Sequence, residues 1–255
     1  MNKYFDLQGK MAVITGGTGG LGSAVCKGLA EAGVGLAVAD ISEERLAETA
    51  AQLGRLGTKV ITAKTDVTNP QSLEEFVNRA AAELGRIDIL VNCAGITIKK
   101  PILEQTLDEW NKVLNVNLTA VFLGSKLVVP QMKKTGGGKI INFCSMGSFV
   151  SITTSGAYCA AKGGLLQLTK VMAMEWAPYN IQVNAVAPGF FNTSLASGIK
   201  NNPEAYNKLM IKSPMKRLAE VDELVGTILY LASPATNFVT GVCVPIDGGF
   251  LADGI

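Results

Sequence analysis

Thr15-Gly16-Gly17-Thr18-Gly19-Gly20-Leu21-Gly22 decides how this chain is read. An apolar, β-branched run over residues 11–15 leads into it, and an amphipathic segment over 20–32 follows. Glycines between a strand and a helix let the backbone turn sharply and come close to a bound group. The helix start adds unpaired N–H groups and the positive end of the helix dipole, which together favour an anion such as a pyrophosphate. The run fits two glycine registers. Gly17, Gly19 and Gly22 match G-x-G-x-x-G, whereas Gly16, Gly20 and Gly22 match T-G-x-x-x-G-x-G. Either register points to a dinucleotide cradle because of its place between strand and helix. Its expected contacts are Gly16, Thr18, Gly20, Leu21 and Gly22.

The pattern beyond this loop repeats the same unit. Short apolar runs at 11–15, 35–40, 60–64, 87–91, 139–143, 181–186 and 242–246 alternate with amphipathic segments near 20–32, 43–55, 71–84, 107–132, 156–177 and 221–232. Continuous apolar runs of this length suit strands covered on both faces. The alternation predicts an α/β fold, a doubly wound parallel sheet of the Rossmann-like kind, as one dinucleotide-binding and catalytic domain over 1–255. Residues 190–216 break the rhythm with Asn201-Asn202-Pro203 and Ser213-Pro214, and are read as a small lid.

Asp40 closes the second run, 18 residues beyond Gly22. A carboxylate there accepts hydrogen bonds from ribose hydroxyls and repels a 2′-phosphate. No Arg or Lys stands in the glycine loop or directly after Asp40. The cofactor expected is therefore NAD rather than NADP.

Composition narrows the chemistry. The chain has 255 residues, 48% of them hydrophobic, a formal net charge of +2 and no histidine. Without histidine, Ser-His-Asp and Cys-His catalysis are excluded and a catalytic zinc is not expected. The basic residues form no cluster beyond the pairs Lys99-Lys100 and Lys133-Lys134, so nucleic acid is not expected as a partner. Neither a secretory leader nor a membrane span is expected. Five cysteines in no metal or disulfide spacing, Cys26, Cys93, Cys144, Cys159 and Cys243, suit free thiols in the cytoplasm. Cys144 has no histidine to activate it and is read as packing.

Proton chemistry then falls to other side chains. Tyr158 and Lys162 are four residues apart within a helix candidate, on one helix face. A neighbouring ammonium favours a phenolate and is expected to pull the tyrosine below its usual value, making it a usable base. The spacing taken alone is common and equally suits a structural pair.

With the Thr15–Gly22 loop, Asn92-Cys93-Ala94-Gly95, Ser145, the Tyr158/Lys162 pair 13 residues after that serine, and Pro188-Gly189 in this order, the chain resembles the short-chain dehydrogenase/reductase family over essentially its full length. The resemblance implies hydride transfer between a nicotinamide and a hydroxyl or carbonyl carbon. It implies Tyr158 as general acid/base and as a cofactor contact, Ser145 holding the reacting oxygen, Lys162 on the nicotinamide ribose, and Asn117 keeping a water in the proton relay. It further implies cofactor contacts at Asp66 and Val67 (adenine), at Asn92, Ala94 and Gly95, and at Pro188, Gly189 and Thr193 (carboxamide end). Cys93 departs from the second asparagine often found there. A homotetramer or homodimer packed through the 107–132 and 156–177 helices and the C-terminal strand is also implied.

The small-molecule substrate is less legible. Phe149, Phe190 and Phe191 are read as apolar walls. The Lys99-Lys100 pair is placed to attract a carboxylate, or else is a solvated surface pair. That stretch, with Glu223-Leu224-Val225-Gly226 and Asp247-Gly248-Gly249-Phe250, is similar to sugar and sugar-acid dehydrogenases of the family, gluconate 5-dehydrogenase-like enzymes among them. The competing readings are a 3-oxoacyl-thioester (acyl carrier protein) reductase, which Asp40 disfavours, and a non-catalytic nucleotide-binding scaffold.

Overall fold

All seven apolar runs form strands in one parallel sheet. The computed structural model describes residues 3–193 and 202–252. The strands are β1 (Met11–Thr15), β2 (Gly35–Asp40), β3 (Val60–Lys64), β4 (Ile89–Asn92), β5 (Gly138–Phe143), β6 (Ile181–Pro188) and β7 (Cys243–Ile246). Their order across the sheet is β3-β2-β1-β4-β5-β6-β7. The chain winds outward from β1 in one direction, then crosses over and winds outward in the other. The reversal falls between β1 and β4, whose Thr15 and Asn92 are in register. A crevice opens at the carboxyl ends of strands at such a switch point, and ligands of open α/β sheets bind there.

Helices cover both faces. They are α1 (Gly20–Glu31), α2 (Glu43–Gly54), α3 (Pro70–Leu84), α4 (Leu107–Leu114), α5 (Ala120–Lys134), α6 (Gly156–Trp176), α7 (Pro203–Lys212) and α8 (Val225–Ala232). On one face Val25 and Leu29 of α1 and Ile228 and Leu231 of α8 pack on Ile14, Val38 and Ile141 of the sheet. On the other, Leu73 and Phe76 of α3, Val128 and Met132 of α5 and Met172 of α6 pack on Val13, Leu90 and Ile140. Each such fully buried side chain contributes about 1.5–3 kcal/mol, so the alternation of sequence and the two-sided burial are one fact.

Local chemistry sets the helix starts. Ser42 Oγ accepts the N–H of Arg45 at 3.4 Å and Asn69 Oδ1 that of Ser72 at 3.1 Å. Pro70 occupies the first turn of α3, where a missing N–H costs nothing. Thr106 and Glu109 close a reciprocal capping box on α4.

Two elements differ from the sequence reading. The single helix expected over 107–132 carries a π turn at Asn115–Thr119 between α4 and α5. Asn117 Nδ2 donates to Val113 O at 2.9 Å, the carbonyl its own backbone N–H would use in an α-helix. The Ala120 N–H bonds Asn115 O, a five-residue step where an α-helix would use Val116 O. In the 190–216 region, Asn202-Pro203, read as a break, begins α7. Proline at a first helical turn is a start signal as much as a stop. Residues 194–201 of the expected lid lie outside the described residues.

Candidate active site

The glycine loop settles into one register. Gly16 has φ +70°, and a Cβ on it would lie 2.6 Å from the backbone of Ala94. A Cβ on Gly22 would lie 2.1 Å from Gly16 O, and one on Gly20 2.9 Å from the Thr193 side chain. Gly19 has room for a side chain, and Gly17 packs on Val38 and Cys26 in the core. The T-G-x-x-x-G-x-G register is therefore the one the geometry enforces. No side chain caps α1, which leaves its first N–H groups directed at the crevice.

Asp40 stands at the end of β2. Its Oδ1 accepts the Ile41 N–H at 2.8 Å and its Oδ2 the Thr18 N–H at 3.2 Å, tying the strand end to the loop. Thr18 Oγ1 is buried beside it without a partner among the described residues. Asp66, just past β3, accepts both the N–H and hydroxyl of Thr68 at 2.9 and 2.7 Å. Val67 packs against the core below. The side chain of Asn92 turns inward, donating to Ser125 Oγ at 3.1 Å and Asn142 Oδ1 at 2.9 Å. Asn142 in turn donates to Thr169 at 3.0 Å. Asn92 thus faces the crevice with its backbone alone, and its side chain belongs to a buried chain joining β4, β5, α5 and α6. Sequence reasoning missed Ser125, Asn142 and Thr169 because each lies on a different element.

Past β5 the candidate catalytic groups converge. Ser145 is buried, accepts the Gly147 N–H at 3.1 Å, and has its hydroxyl within hydrogen-bonding reach of Tyr158. Tyr158 lies in the first turn of α6, and Lys162 one turn on is fully enclosed. Lys162 Nζ lies 5.8 Å from the Tyr158 ring centre and donates to Phe143 O at 2.6 Å. A Cβ on Gly95 would lie 2.9 Å from Asn117 Oδ1 and 3.6 Å from Lys162 Nζ. The π turn carries Asn117 into this cluster. Its Nδ2 bonds Val113 O and also Ile96 O at 2.8 Å, while its buried Oδ1 has no partner among the described residues.

The electrostatics correct one expectation. Lys162 does not hold Tyr158 low in the chain alone: burial dominates and raises the phenol, with the Ser145 hydrogen bond opposing it. The same burial pushes Lys162 down to about 8. Two groups withdrawn from water together both favour their neutral forms. Burial also raises Cys93 to about 12, so it is no thiolate.

At the far edge, Gly189 ends the β6 turn where a Cβ would lie 2.7 Å from Asp247 Cα. Pro188 is the last residue of β6, and Thr193 reaches back over Gly20. Phe191 is not a pocket wall: it is 4% exposed in the core with Leu224 and Ile228. Phe190 does line a cavity of about 190 Å3, with Leu209, Met215, Ile246 and Asp247, and meets Phe250 edge-on at 5.9 Å. Phe149 is half-exposed. Lys100 pairs with Glu109 at 3.1 Å, so only Lys99 of the basic pair stays without an ion pair among the described residues.

These residues fit a nicotinamide dinucleotide. The glycines leave a cradle that side chains would fill, and among the described residues α1 is uncapped and Thr18 Oγ1 and Asn117 Oδ1 are buried polar atoms without partners. Among the described residues no cluster of His, Cys, Asp or Glu could hold a metal.

Comparison with known proteins agrees with this geometry. The family described as enoyl-(acyl carrier protein) reductase matches residues 16–251. The chain is 40% identical over 250 residues to 2-dehydro-3-deoxy-D-gluconate 5-dehydrogenase of Formosa agariphila, covering 97% of this chain and 95% of that one. A short-chain type dehydrogenase/reductase from Mycobacterium marinum superposes with a TM-score of 0.92 at 36% identity, covering 97% of this chain and 98% of that one. A gluconate 5-dehydrogenase from Burkholderia cenocepacia J2315, in complex with NADP and tartrate, superposes at 0.94 with 37% identity, covering 98% of each chain.

Proposed function

The chain belongs to the short-chain dehydrogenase/reductase family, and on that premise we propose that it interconverts a secondary alcohol and its ketone on a sugar acid, sugar or polyol, using NAD(H). The observation that carries this reading is the convergence of Ser145, Tyr158, Lys162 and Asn117 at the carboxyl edge of the sheet beside the glycine cradle. The names of the relatives support a sugar acid, and Asp40 supports NAD. The NADP in the gluconate 5-dehydrogenase structure supports the nicotinamide and leaves the preference to Asp40.

A nicotinamide bound here supplies the hydride acceptor or donor. Gly16, Gly20 and Gly22 with the start of α1 hold the pyrophosphate, and Thr18 and Leu21 add backbone groups. Asp40 takes the adenosine ribose, Asp66 and Val67 flank the adenine, and Asn92, Ala94 and Gly95 line the path inward. Pro188, Gly189 and Thr193 meet the carboxamide end. Ser145 donates a hydrogen bond to the substrate oxygen and fixes it near Tyr158. Tyr158 takes the hydroxyl proton during oxidation and returns it during reduction. Lys162 binds the nicotinamide ribose and stabilises the phenolate. Asn117 offers its unpartnered Oδ1 to a water or to Lys162, so the proton has a route away from Tyr158.

Oxidation of a panel of gluconate-type acids, neutral sugars, polyols and a 3-hydroxyacyl thioester with NAD tests the reading. The sugar acids are expected to be best. Lys99→Gln is expected to raise KM for them by about tenfold, the value of one charge-assisted contact, with kcat little changed. Preference for uncharged sugars would remove the carboxylate assignment, and preference for the thioester would favour the acyl reductase.

The assembly proposed is a homotetramer or homodimer in the cytoplasm. Leu103, Leu107 and Phe122 around α4 and α5, and Val171 and Met174 on α6, present exposed apolar faces, as does Phe238 before β7. Faces of this kind mark association surfaces. Light scattering is expected to give at least a dimer mass, and a monomer at micromolar concentration would contradict it.

A further inference from the structure

One side chain outside the reacting set fastens the loop after β5 to α6. Ser148 is half-buried, and its hydroxyl accepts the Ser145 N–H at 3.3 Å and donates to Lys162 O at 2.8 Å. The first bond is half of a reciprocal cap on the short turn at Met146–Ser148, where Ser145 Oγ accepts the Gly147 N–H at 3.1 Å. The second bond reaches 14 residues along the chain. The cap does not require it. Lys162 O lies inside α6, where the N–H four residues on already serves a carbonyl. The hydroxyl therefore rescues no orphaned acceptor. It joins the backbones of Ser145 and Lys162 through a single oxygen.

What this bond fixes is a spacing. Ser145 and Tyr158 stand within hydrogen-bonding reach but on different elements. The turn presses on α6 beside Tyr158, since a Cβ on Gly147 would lie 3.2 Å from both Cys159 Sγ and Ile152 Cδ1. Lys162 Nζ forms another clip between the same elements, to Phe143 O at 2.6 Å. That clip uses the ammonium, which the nicotinamide ribose claims in the proposed reaction. The Ser148 bond uses a hydroxyl and a main-chain carbonyl, so it does not compete with that role.

We infer that Ser148 is a positioning residue, which sets the separation of Ser145 Oγ and the Tyr158 phenol by tying the Ser145 backbone to the Lys162 carbonyl. This deepens the proposed function and rests on its assignment of Ser145 and Tyr158. The electrostatics supply a signature. The Ser145 hydrogen bond lowers the phenol against burial, while Cys159, Cys144 and Cys93 act with burial to raise it. Lys162 Nζ lies 5.8 Å from the ring centre. Loosening Ser145 therefore moves the phenol up. Ser148 also reaches the Cys144 thiol and lowers it, so an effect passing through Cys144 would move the phenol the other way.

Ser148→Ala and Ser148→Thr in the full chain test this. The Lys162–Phe143 bond remains in both, so folding is preserved. Ultraviolet titration of tyrosinate, with the matching Tyr158→Phe background subtracted, reads Tyr158 with no dinucleotide present. Ser148→Ala is expected to move that titration to higher pH. It is also expected to lower kcat for alcohol oxidation by about ten- to a hundredfold, the scale of a small misplacement of reacting groups, with NADH binding unchanged. Ser148→Thr keeps the hydroxyl and is expected to restore most of both. A folded Ser148→Ala with kcat and titration unmoved would overturn the assignment and leave the proposed reaction standing. A loss of rate with the titration unmoved, or moved to lower pH, would overturn it as well. An unaltered protein that binds NADH and oxidises no alcohol would overturn both.

Discussion

Tyr158→Phe is expected to lower kcat by roughly a thousandfold, within the span that a positioned general acid/base contributes, while NADH still binds. The loss should appear in kcat and kcat/KM together if the phenol acts in the transition state as proposed. Phe keeps the ring that packs at the start of α6 and removes only the hydroxyl, so folding is preserved. The direction of the Tyr158 shift gives a second reading of the same experiment. Burial raises the phenol, so near neutral pH the unliganded chain holds it protonated. Ketone reduction needs that proton and should run well there. Alcohol oxidation needs the phenolate, so its kcat/KM should climb as pH rises toward the phenol range. Steady-state rates in both directions across that range check this, and a pH-independent oxidation would contradict it.

Lys162→Met carries the second large effect, and its two parts have opposite signs. Activity should fall by about a hundredfold or more, because the group that stabilises the phenolate is gone. Stability at pH 7 should rise. Lys162 is enclosed, and burial holds its ammonium at about 8 against an ordinary 10.5. That depression corresponds to a destabilisation of about 3 kcal/mol, offset by about 1 kcal/mol for the bond to Phe143 O. The sign follows from proton counting. Below pH 8 the folded chain keeps a charged lysine in a dry site and bears the whole cost. Between pH 8 and 10.5 the folded state releases the proton before the unfolded state does, so the cost fades. Urea unfolding of the two proteins at pH 7 and pH 10 should show the Met variant ahead at the lower pH and the gap narrowing at the higher. A Met variant that is less stable at pH 7 would mean the ammonium is better solvated than its burial implies.

The fold was legible because the constraints that make it are local or periodic. Seven apolar runs, a glycine turn and capped helix starts such as Ser42 and Asn69 are visible in sequence. Ser145, Tyr158 and Lys162 were legible as a set because β5 delivers the serine to the same edge at which α6 begins. The remainder depends on tertiary position. Phe190 and Phe191 are neighbours with the same side chain, yet one lines a cavity and the other is core, since the chain leaves β6 between them. Asn92 reads as a cofactor residue, while its side chain bonds Ser125 and Asn142, 33 and 50 residues away. The π turn at Asn115–Thr119 is a local departure from α-helical bonding that a 3.6-residue period does not reveal. Ser148 is invisible as a partner of Lys162 O until α6 folds back onto the turn after β5. The Tyr158 shift was expected with the wrong sign because a spacing of four gives proximity to an ammonium but not the burial that both groups share.

Hydride transfer from a labelled substrate tests the central claim most directly. A sugar acid carrying deuterium on the oxidisable carbon is incubated with the protein and NAD, and the nicotinamide is examined by mass spectrometry. The account predicts deuterium in the reduced nicotinamide with the unaltered protein and almost none with Tyr158→Phe. Tight NAD binding with no transfer from any alcohol offered would contradict it and leave the chain a nucleotide-binding scaffold.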